Sequence, residues 1–187
     1  MSKGLVHFVH GKESGPNGSK IVALADVARQ HGWDVLSLDY SHTTDPRVRL
    51  DQLRDACKGV DQPLLLVGSS MGGWVAAEAS VWVDADGVFL LAPALYMPDY
   101  PVAAPAILAT QAEIVHGWDD EVIPCENSVT FARLRGCTLH LVPGGHRLDT
   151  QIPLLCELFG AFLARCTAST SAATSASGNT GRQQPAP

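Results

Sequence analysis

Short apolar runs alternate with longer amphipathic stretches along this chain, and that alternation constrains its fold more than any other feature. Runs rich in Val, Leu and Ile occupy residues 5–9, 34–38, 64–67, 87–91, 113–115 and 138–142. Helical periodicity follows most of them, at residues 19–31, 46–60, 71–82, from about 124, and at 152–165. Six strands alternating with helices predict an α/β fold, a doubly wound and mostly parallel sheet flanked by helices.

Local signals support this pattern. Asp45-Pro46 is typical of a helix start, with Pro at the first helical position, and Asn17 or Ser19 is expected to cap the first helix. Leu64–Val67 is apolar on both faces, as expected of a central parallel strand. Residues 93–105 contain four prolines and little periodicity, which predicts a loop or a minimal flap.

Length and composition indicate one globular domain. With 187 residues, 46% hydrophobic and 17% charged, the chain can form a single ordinary core. We assign residues 1–166 to that domain and expect residues 167–187, rich in Ser, Ala and Thr, to form a disordered tail. The formal net charge of −6 argues against nucleic-acid and anionic-membrane partners.

The five cysteines lack CxxC spacing and are odd in number, which favours reduced thiols in a cytoplasmic protein. The apolar run at 5–9 is too short for the core of a signal peptide. No stretch approaches the ~20 apolar residues that span a bilayer. Oligomeric state is not predicted.

A G-x-S-x-G pattern at Gly68, Ser70 and Gly72 directly follows the most apolar strand and opens a helix. Such a serine sits on a sharp turn, where small residues two positions either side let the backbones approach. The helix N-terminus adds a positive dipole end where an oxyanion would form. A plain helix-capping turn is the alternative, but the position after a buried strand favours Ser70 as a nucleophile.

A serine hydroxyl requires a base, and His146 is the best placed of seven histidines. It follows the last strand, at the carboxyl edge where Ser70 also emerges. His7 and His140 lie inside predicted strands, and His31 ends a helix. An orienting acid is expected after the fifth strand, where Asp119, Asp120 and Glu121 are the candidates.

The segment His116-Gly117-x-x-Asp120 with Pro124 resembles the H-G-x-x-D-x-x-x-P turn of α/β-hydrolases, whose acid matches Asp120. Together with G-x-S-x-G and a late Gly-His, it has the chain order Ser, Asp, His of that superfamily. The resemblance spans residues 5–165 and is closest to small, lid-poor bacterial esterases. The chain differs from the family in starting at the third family strand and in lacking a helical cap, which implies a trimmed sheet and an open site.

The resemblance also implies an oxyanion hole. His10-Gly11-Lys12 resembles the H-G loop after the first shared strand, so the backbone N–H of Lys12 and that of Met71 are the expected donors. A Gly-rich loop that only caps the next helix is the alternative. The expected pocket residues are grouped around this loop, the 93–105 segment and the acid turn: His10, Trp74, Leu95, Tyr96, Met97 and Trp118.

The expected activity is hydrolysis of a small to medium acyl ester through an acyl-enzyme, without metal or organic cofactor. Thioester, small-peptide and lactone hydrolysis, or carbon–carbon bond hydrolysis, use the same residues and stay open. A non-catalytic binding protein on the same scaffold is the alternative outside enzymes.

Overall fold

The computed structural model describes the backbone of residues 2–177 and the side chains of residues 2–168. Within this part of the chain, six strands form one sheet: β1 (Leu5–Val9), β2 (Asp34–Ser37), β3 (Leu64–Ser69), β4 (Gly87–Leu91), β5 (Gln111–Gly117) and β6 (Thr138–Val142). The helices are α1 (Ser19–Gln30), α2 (Pro46–Ala56), α3 (Met71–Ser80), α4 (Cys125–Arg135) and α5 (Ile152–Ser177), with a short 3₁₀ helix at Asp149–Gln151.

All neighbouring strands are parallel, in the order β2-β1-β3-β4-β5-β6. After β1 the chain adds β2 on one side and then β3 to β6 on the other, so the strand order reverses between β1 and β3. Open α/β sheets bind ligands at such a topological switch point. β3 lies between β1 and β4, and four of its six residues are the apolar run Leu64–Val67, buried on both faces. The predicted doubly wound parallel sheet is confirmed.

Two hydrophobic layers cover the sheet. Leu53 of α2, Val75 of α3 and Phe131 of α4 pack in the core on one face. Leu24 of α1 and Phe159 of α5 pack in the core on the other. Because each face is covered, the strands are apolar on both sides, and only the two sheet edges and the ends of the strands meet solvent.

Helix starts and ends follow local chemistry. Asp45 caps α2, with its carboxylate accepting from the Arg47 N–H at 2.8 Å. The expected cap of α1 by Asn17 or Ser19 is wrong: Gly18 occupies the cap position, and Ser19 is the first helical residue. α2 ends at Ala56 rather than near residue 60, because the chain turns there towards Gly59, which adopts φ +74°.

The last helix is longer than predicted. Its backbone continues as α5 to Ser177, whereas the composition predicts disorder from residue 167. Between Gly160 and Gly178 the sequence holds no glycine or proline and several alanines, so nothing interrupts the helix. Cys166 is buried in the core. The rest of the predicted tail, residues 178–187, lies outside the described residues.

Other sequence-based expectations concern the segment after β4, the cysteines and membrane-spanning helices. The 93–105 segment is a loop between β4 and β5, as predicted. All five cysteines are free thiols, and burial raises the pKa of both Cys57 and Cys137 to about 11. Across the described residues, no helix combines the length and the apolar character needed to cross a membrane.

Candidate active site

Ser70 stands on the turn between β3 and α3 with φ 54° and ψ −119°, a conformation that non-glycine residues rarely adopt. The turn is possible because both flanking glycines lack a side chain. A Cβ on Gly68 would overlap the carbonyl of Gly72, and a Cβ on Gly72 would overlap the carbonyl of Val9. The G-x-S-x-G spacing is therefore a steric requirement of this backbone.

Backbone hydrogen bonds hold the strained serine in place. The Ser70 N–H donates to Leu91 O at 2.9 Å, and the Ser70 carbonyl accepts from the N–H groups of Gly73 at 2.9 Å and Ala94 at 3.0 Å. These contacts tie the turn to α3 and to the end of β4. Strain of this kind persists only where the surroundings determine it, which points to a functional turn.

His146 follows β6 and reaches the serine. The Ser70 hydroxyl donates to His146 Nε2 at 3.0 Å. Close packing of two loops sets this position: the N–H of Asp119 donates to Gly144 O at 3.0 Å, and a Cβ on Gly145 would overlap the Glu121 carboxylate. The structure thus brings together two side chains that are 76 residues apart in the chain.

Asp120 completes the group and is the carboxylate that contacts the imidazole. His146 Nδ1 donates to Asp120 Oδ2 at 2.8 Å, and the Asp120 side chain is fully buried. Glu121 contacts only the backbone N–H of His146, at 3.4 Å, and Asp119 is an exposed turn residue. Of the three carboxylates on this turn, Asp120, which the family resemblance matched to the acid, is the one that contacts the imidazole.

Burial by itself raises the pKa of the Asp120 carboxyl, but hydrogen bonds to its charged form outweigh that effect and lower the pKa below its ordinary value. The donors are the N–H groups of Ile123 and Val122, each 2.8 Å from Oδ1, and the imidazole of His146. Asp120 is therefore an anion that accepts a hydrogen bond from the Nδ1–H of His146, which leaves Nε2 as the acceptor facing Ser70.

Sequence reasoning did not identify two further residues that belong to this network. His116 Nε2 lies 2.9 Å from Asp120 Oδ2, and His116 Nδ1 lies 2.7 Å from Ser128 Oγ. Both residues are fully buried. His116 could have been found from its place at the start of the H-G-x-x-D turn, whereas nothing local marks Ser128 on α4.

The loop after β1 lies against the nucleophile, because a Cβ on Gly11 would meet Ser70 Cβ at 3.4 Å. Arg49 of α2 holds this loop: its Nη1 donates to His10 O at 3.0 Å and to Gly11 O at 3.2 Å, and the residue is fully buried. Lys12, the next residue, is exposed at the tip of the loop.

Comparisons with known proteins agree with this architecture. A family model described as the alpha/beta hydrolase family matches residues 8–170. This chain belongs to that family.

Solved structures extend the comparison. A putative hydrolase of the alpha/beta superfamily from Xanthomonas campestris pv. campestris shares 33% identity and a TM-score of 0.83, over 88% of this chain and 99% of that one. Est1E from Butyrivibrio proteoclasticus shares 20% identity and a TM-score of 0.74, over 89% of each chain. A serine hydrolase described as lacking a lid, also from Xanthomonas campestris, shares 16% identity and a TM-score of 0.69, over 88% of this chain and 83% of that one. No protein with a curated description matches the sequence.

Three of the residues that were expected to line the pocket of this hydrolase are buried and expose almost no surface in this structure. His10 is fully buried: its Nδ1 donates to Gly11 O at 2.8 Å and its Nε2 accepts from the Tyr40 N–H at 2.9 Å. Trp74 lies in the core and donates to Val102 O at 2.7 Å. Leu95 is also fully buried. The sequence could not distinguish a residue that supports the site from one that lines it.

The other three pocket candidates keep exposed surface. Tyr96 and Met97 are half-buried in the 93–105 loop, and Trp118 is 57% exposed directly after β5. Val122, on the acid turn, is 53% exposed. Two of these apolar side chains therefore border Asp120 in sequence and stand at the carboxyl edge of the sheet.

Within the described part of the chain, no group of three or more His, Cys, Asp or Glu side chains is arranged to hold a metal ion. Each histidine of the site is already engaged by a serine or a carboxylate. What the arrangement offers chemically is an acceptor nitrogen beside a hydroxyl, with a buried anion behind it.

Proposed function

We propose that this hydrolase cleaves carboxyl esters with Ser70 as nucleophile, His146 as general base and Asp120 as the acid that orients the base. The observation that carries the proposal is the continuous hydrogen-bond path Ser70 Oγ, His146, Asp120, with contacts of 3.0 Å and 2.8 Å. This arrangement supplies what a serine hydroxyl needs in order to react near neutral pH.

The reaction proceeds in two halves. Ser70 Oγ bonds to the acyl carbon while His146 Nε2 takes the hydroxyl proton, and the same proton then passes to the departing alcohol as the ester C–O bond breaks. Water, deprotonated by His146, attacks the acyl-serine; the bond between the acyl carbon and Ser70 Oγ then breaks, His146 returns the proton to Oγ, and the acid is released. Asp120 stabilises the imidazolium in both halves because it remains an anion throughout.

Backbone N–H groups are proposed to hold the oxyanion. Met71 is the first residue of α3, so its N–H is among those that a helix leaves without an internal acceptor. The second donor is the N–H of Lys12, on the loop that lies against Ser70. Each such donor contributes about 3–4 kcal/mol to transition-state stability.

The substrate is proposed to be an ester of a small or medium acyl group with apolar character. No helix or strand occurs in the segment 92–110 between β4 and β5, so no helical lid covers this edge of the sheet. Tyr96, Met97 and Trp118 offer apolar surface there. Thioester, small-peptide or lactone hydrolysis is the second candidate, since the same path of hydrogen bonds would serve it.

A fluorophosphonate probe tests the nucleophile. We expect stoichiometric labelling of the wild-type protein and of Ser69→Ala, and none of Ser70→Ala. Ser69 is a matched control because it is the neighbouring serine and ends β3. Labelling that persists in Ser70→Ala would refute the assignment, and absence of labelling in the folded wild type would favour a non-catalytic binding protein.

Turnover of p-nitrophenyl acetate, butyrate and octanoate tests the substrate class. Asp120→Asn is expected to lower kcat by about 10⁴-fold, because it leaves the wrong tautomer at His146. Asp119→Asn is the control and is expected to keep near wild-type activity, since its side chain is exposed. Labelling without turnover of any ester would move the proposal to thioesters, amides or lactones. The opposite ranking of the two aspartates would overturn the role of Asp120.

A further inference from the structure

Asp120 contacts two imidazoles through the same oxygen. Oδ2 lies 2.8 Å from His146 Nδ1 and 2.9 Å from His116 Nε2. Beyond His116, Ser128 Oγ lies 2.7 Å from Nδ1. His116 and Ser128 are fully buried, so neither reaches a substrate and any role must act through Asp120.

The partners of His116 determine its protonation. Its Nε2 faces two acceptors, Asp120 Oδ2 at 2.9 Å and Ile123 O at 3.0 Å, so this nitrogen carries the proton and donates. Its Nδ1 therefore accepts from the Ser128 hydroxyl. Burial lowers the pKa of His116 and outweighs Asp120, which raises it. The ring is therefore neutral near pH 7.

A neutral donor suits this position. The Asp120 carboxylate is fully buried and accepts two backbone N–H groups at Oδ1. At Oδ2, His116 satisfies the oxygen without adding a charge that would repel an imidazolium at His146. Without this donor the Asp120 carboxylate would rotate more freely, and its less compensated charge would interact more strongly with the His146 imidazole.

We propose that His116 is a positioning residue: its Nε2–H fixes Oδ2 of Asp120 where that oxygen orients His146, and the Ser128 hydroxyl fixes the tautomer of His116. The expected effect on kcat rests on the proposed function, whereas the positioning of Asp120 and His146 does not. The five side chains form a path from Ser128 on α4 to Ser70 at the start of α3.

Other charged groups surround this path. Glu121 approaches the His146 backbone on the acid turn, at 3.4 Å. Lys20 of α1 interacts electrostatically with Asp149, Arg147 and Asp120. The Cys125 thiol of α4 lies near Asp120 and has a raised pKa, mainly because of burial, so it stays uncharged. The variants below keep all of these groups, so the effects of these groups on His146 are the same in each variant and in wild type and cancel when the proteins are compared.

The experiment compares His116→Leu and His116→Gln with wild type. Leu removes the N–H donor to Asp120. Gln keeps an N–H donor, because its amide nitrogen is the same number of bonds from Cβ as Nε2 of the His116 imidazole. We expect His116→Leu to lower kcat by about tenfold at unchanged KM. We also expect the NMR titration midpoint of the His146 imidazole to move up by about half a pH unit, because the carboxylate is less compensated. His116→Gln should recover most of both effects.

Ser128→Ala tests the tautomer, and we expect a smaller change in the same direction. Ser80→Ala is its matched control, a fully buried serine at the opposite end of α3 that donates to Ala77 O at 2.7 Å. His7→Leu is the matched control for loss of a buried histidine. Neither control should move the His146 midpoint.

Kinetic values are taken per serine labelled by the fluorophosphonate, so that partial unfolding does not enter kcat. A His116→Leu protein with wild-type kcat and an unmoved His146 midpoint would overturn the proposal. So would equal losses in the Leu and Gln variants. The NMR titration needs no turnover, so a wild-type protein that hydrolyses nothing would refute the proposed function while the positioning role was still decided.

Discussion

Replacing His7 tests how much of the acid sensitivity of this fold comes from one buried imidazole. His7 lies in β1 between β2 and β3, paired in register with Leu36 and Leu66, and is fully buried. Its Nε2 lies 3.0 Å from the Tyr40 hydroxyl. Burial lowers the pKa of His7 from 6.5 to about 4.

The sign follows from comparing the two states. In the unfolded chain the imidazole binds a proton as the pH falls below 6.5, whereas in the folded protein it stays neutral down to about pH 4. The unfolded state therefore binds more protons across this window, and the free energy of unfolding decreases as the pH falls. A shift of this size corresponds to about 3 kcal/mol in the free energy of unfolding. This stability is present in full above pH 6.5 and is lost as the pH falls towards about 4.

The assay is urea denaturation of wild type and His7→Gln at several values from about pH 7.5 to about pH 4.5. Gln keeps an amide for the Tyr40 hydroxyl but cannot titrate. We expect wild type to lose about 2–3 kcal/mol more than the variant over this range. His42→Gln, at an exposed position, controls for removal of an imidazole as such. Parallel stability curves for wild type and His7→Gln would refute the reasoning.

The result also bears on activity measurements. Because the buried His7 destabilises the fold below about pH 6.5, acidification lowers activity partly through unfolding. Activity lost on acidification must therefore be compared with the fraction of folded protein at each pH. If His7→Gln retained more activity than wild type at low pH, unfolding would account for that part of the loss.

Two further substitutions test the backbone around the nucleophile. Gly72→Ala puts a Cβ against the carbonyl of Val9 and should destabilise the protein by about 3 kcal/mol, measured by urea denaturation. Gly15→Ala, which has open space around it, should leave the unfolding midpoint near that of wild type, and equal midpoints for both variants would contradict the steric account. Arg49→Met removes the two hydrogen bonds that hold the loop after β1, and should cost about 2 kcal/mol and lower kcat per labelled serine at unchanged KM. Wild-type kcat in that variant would show that the loop needs no such support.

Much of the fold could be predicted from local pattern. The alternation of apolar runs with helical periodicity predicts six parallel strands, and β1, β4 and β6 have the predicted bounds. The C-terminal helix is longer than its pattern predicts. Polar composition predicts disorder from residue 167, but alanines without a glycine or proline continue α5 to Ser177.

The candidate site was predicted from motifs, and its supporting residues were not. Spacing and the position after a buried strand together mark Ser70, because only a glycine two residues away on each side permits that turn. Position after β5 left Asp119, Asp120 and Glu121 as candidates, and the family resemblance favoured Asp120; the contact with His146 depends on the loop after β6 lying beside the loop after β5. Spacing likewise could not separate Trp74, which is buried, from Trp118, which is exposed.

What the sequence determined by itself was therefore periodic or steric: the parallel sheet, the strained serine turn, and the edge at which strands end. Only the tertiary structure brought Asp120, which the resemblance had matched, into contact with His146. It also decided that His10 and Arg49 support the loop rather than face a ligand, and that His116 and Ser128 lie behind Asp120. The physical reason is that hydrogen bonds between residues distant in the chain depend on how strands and loops pack, and packing leaves no repeat in the sequence.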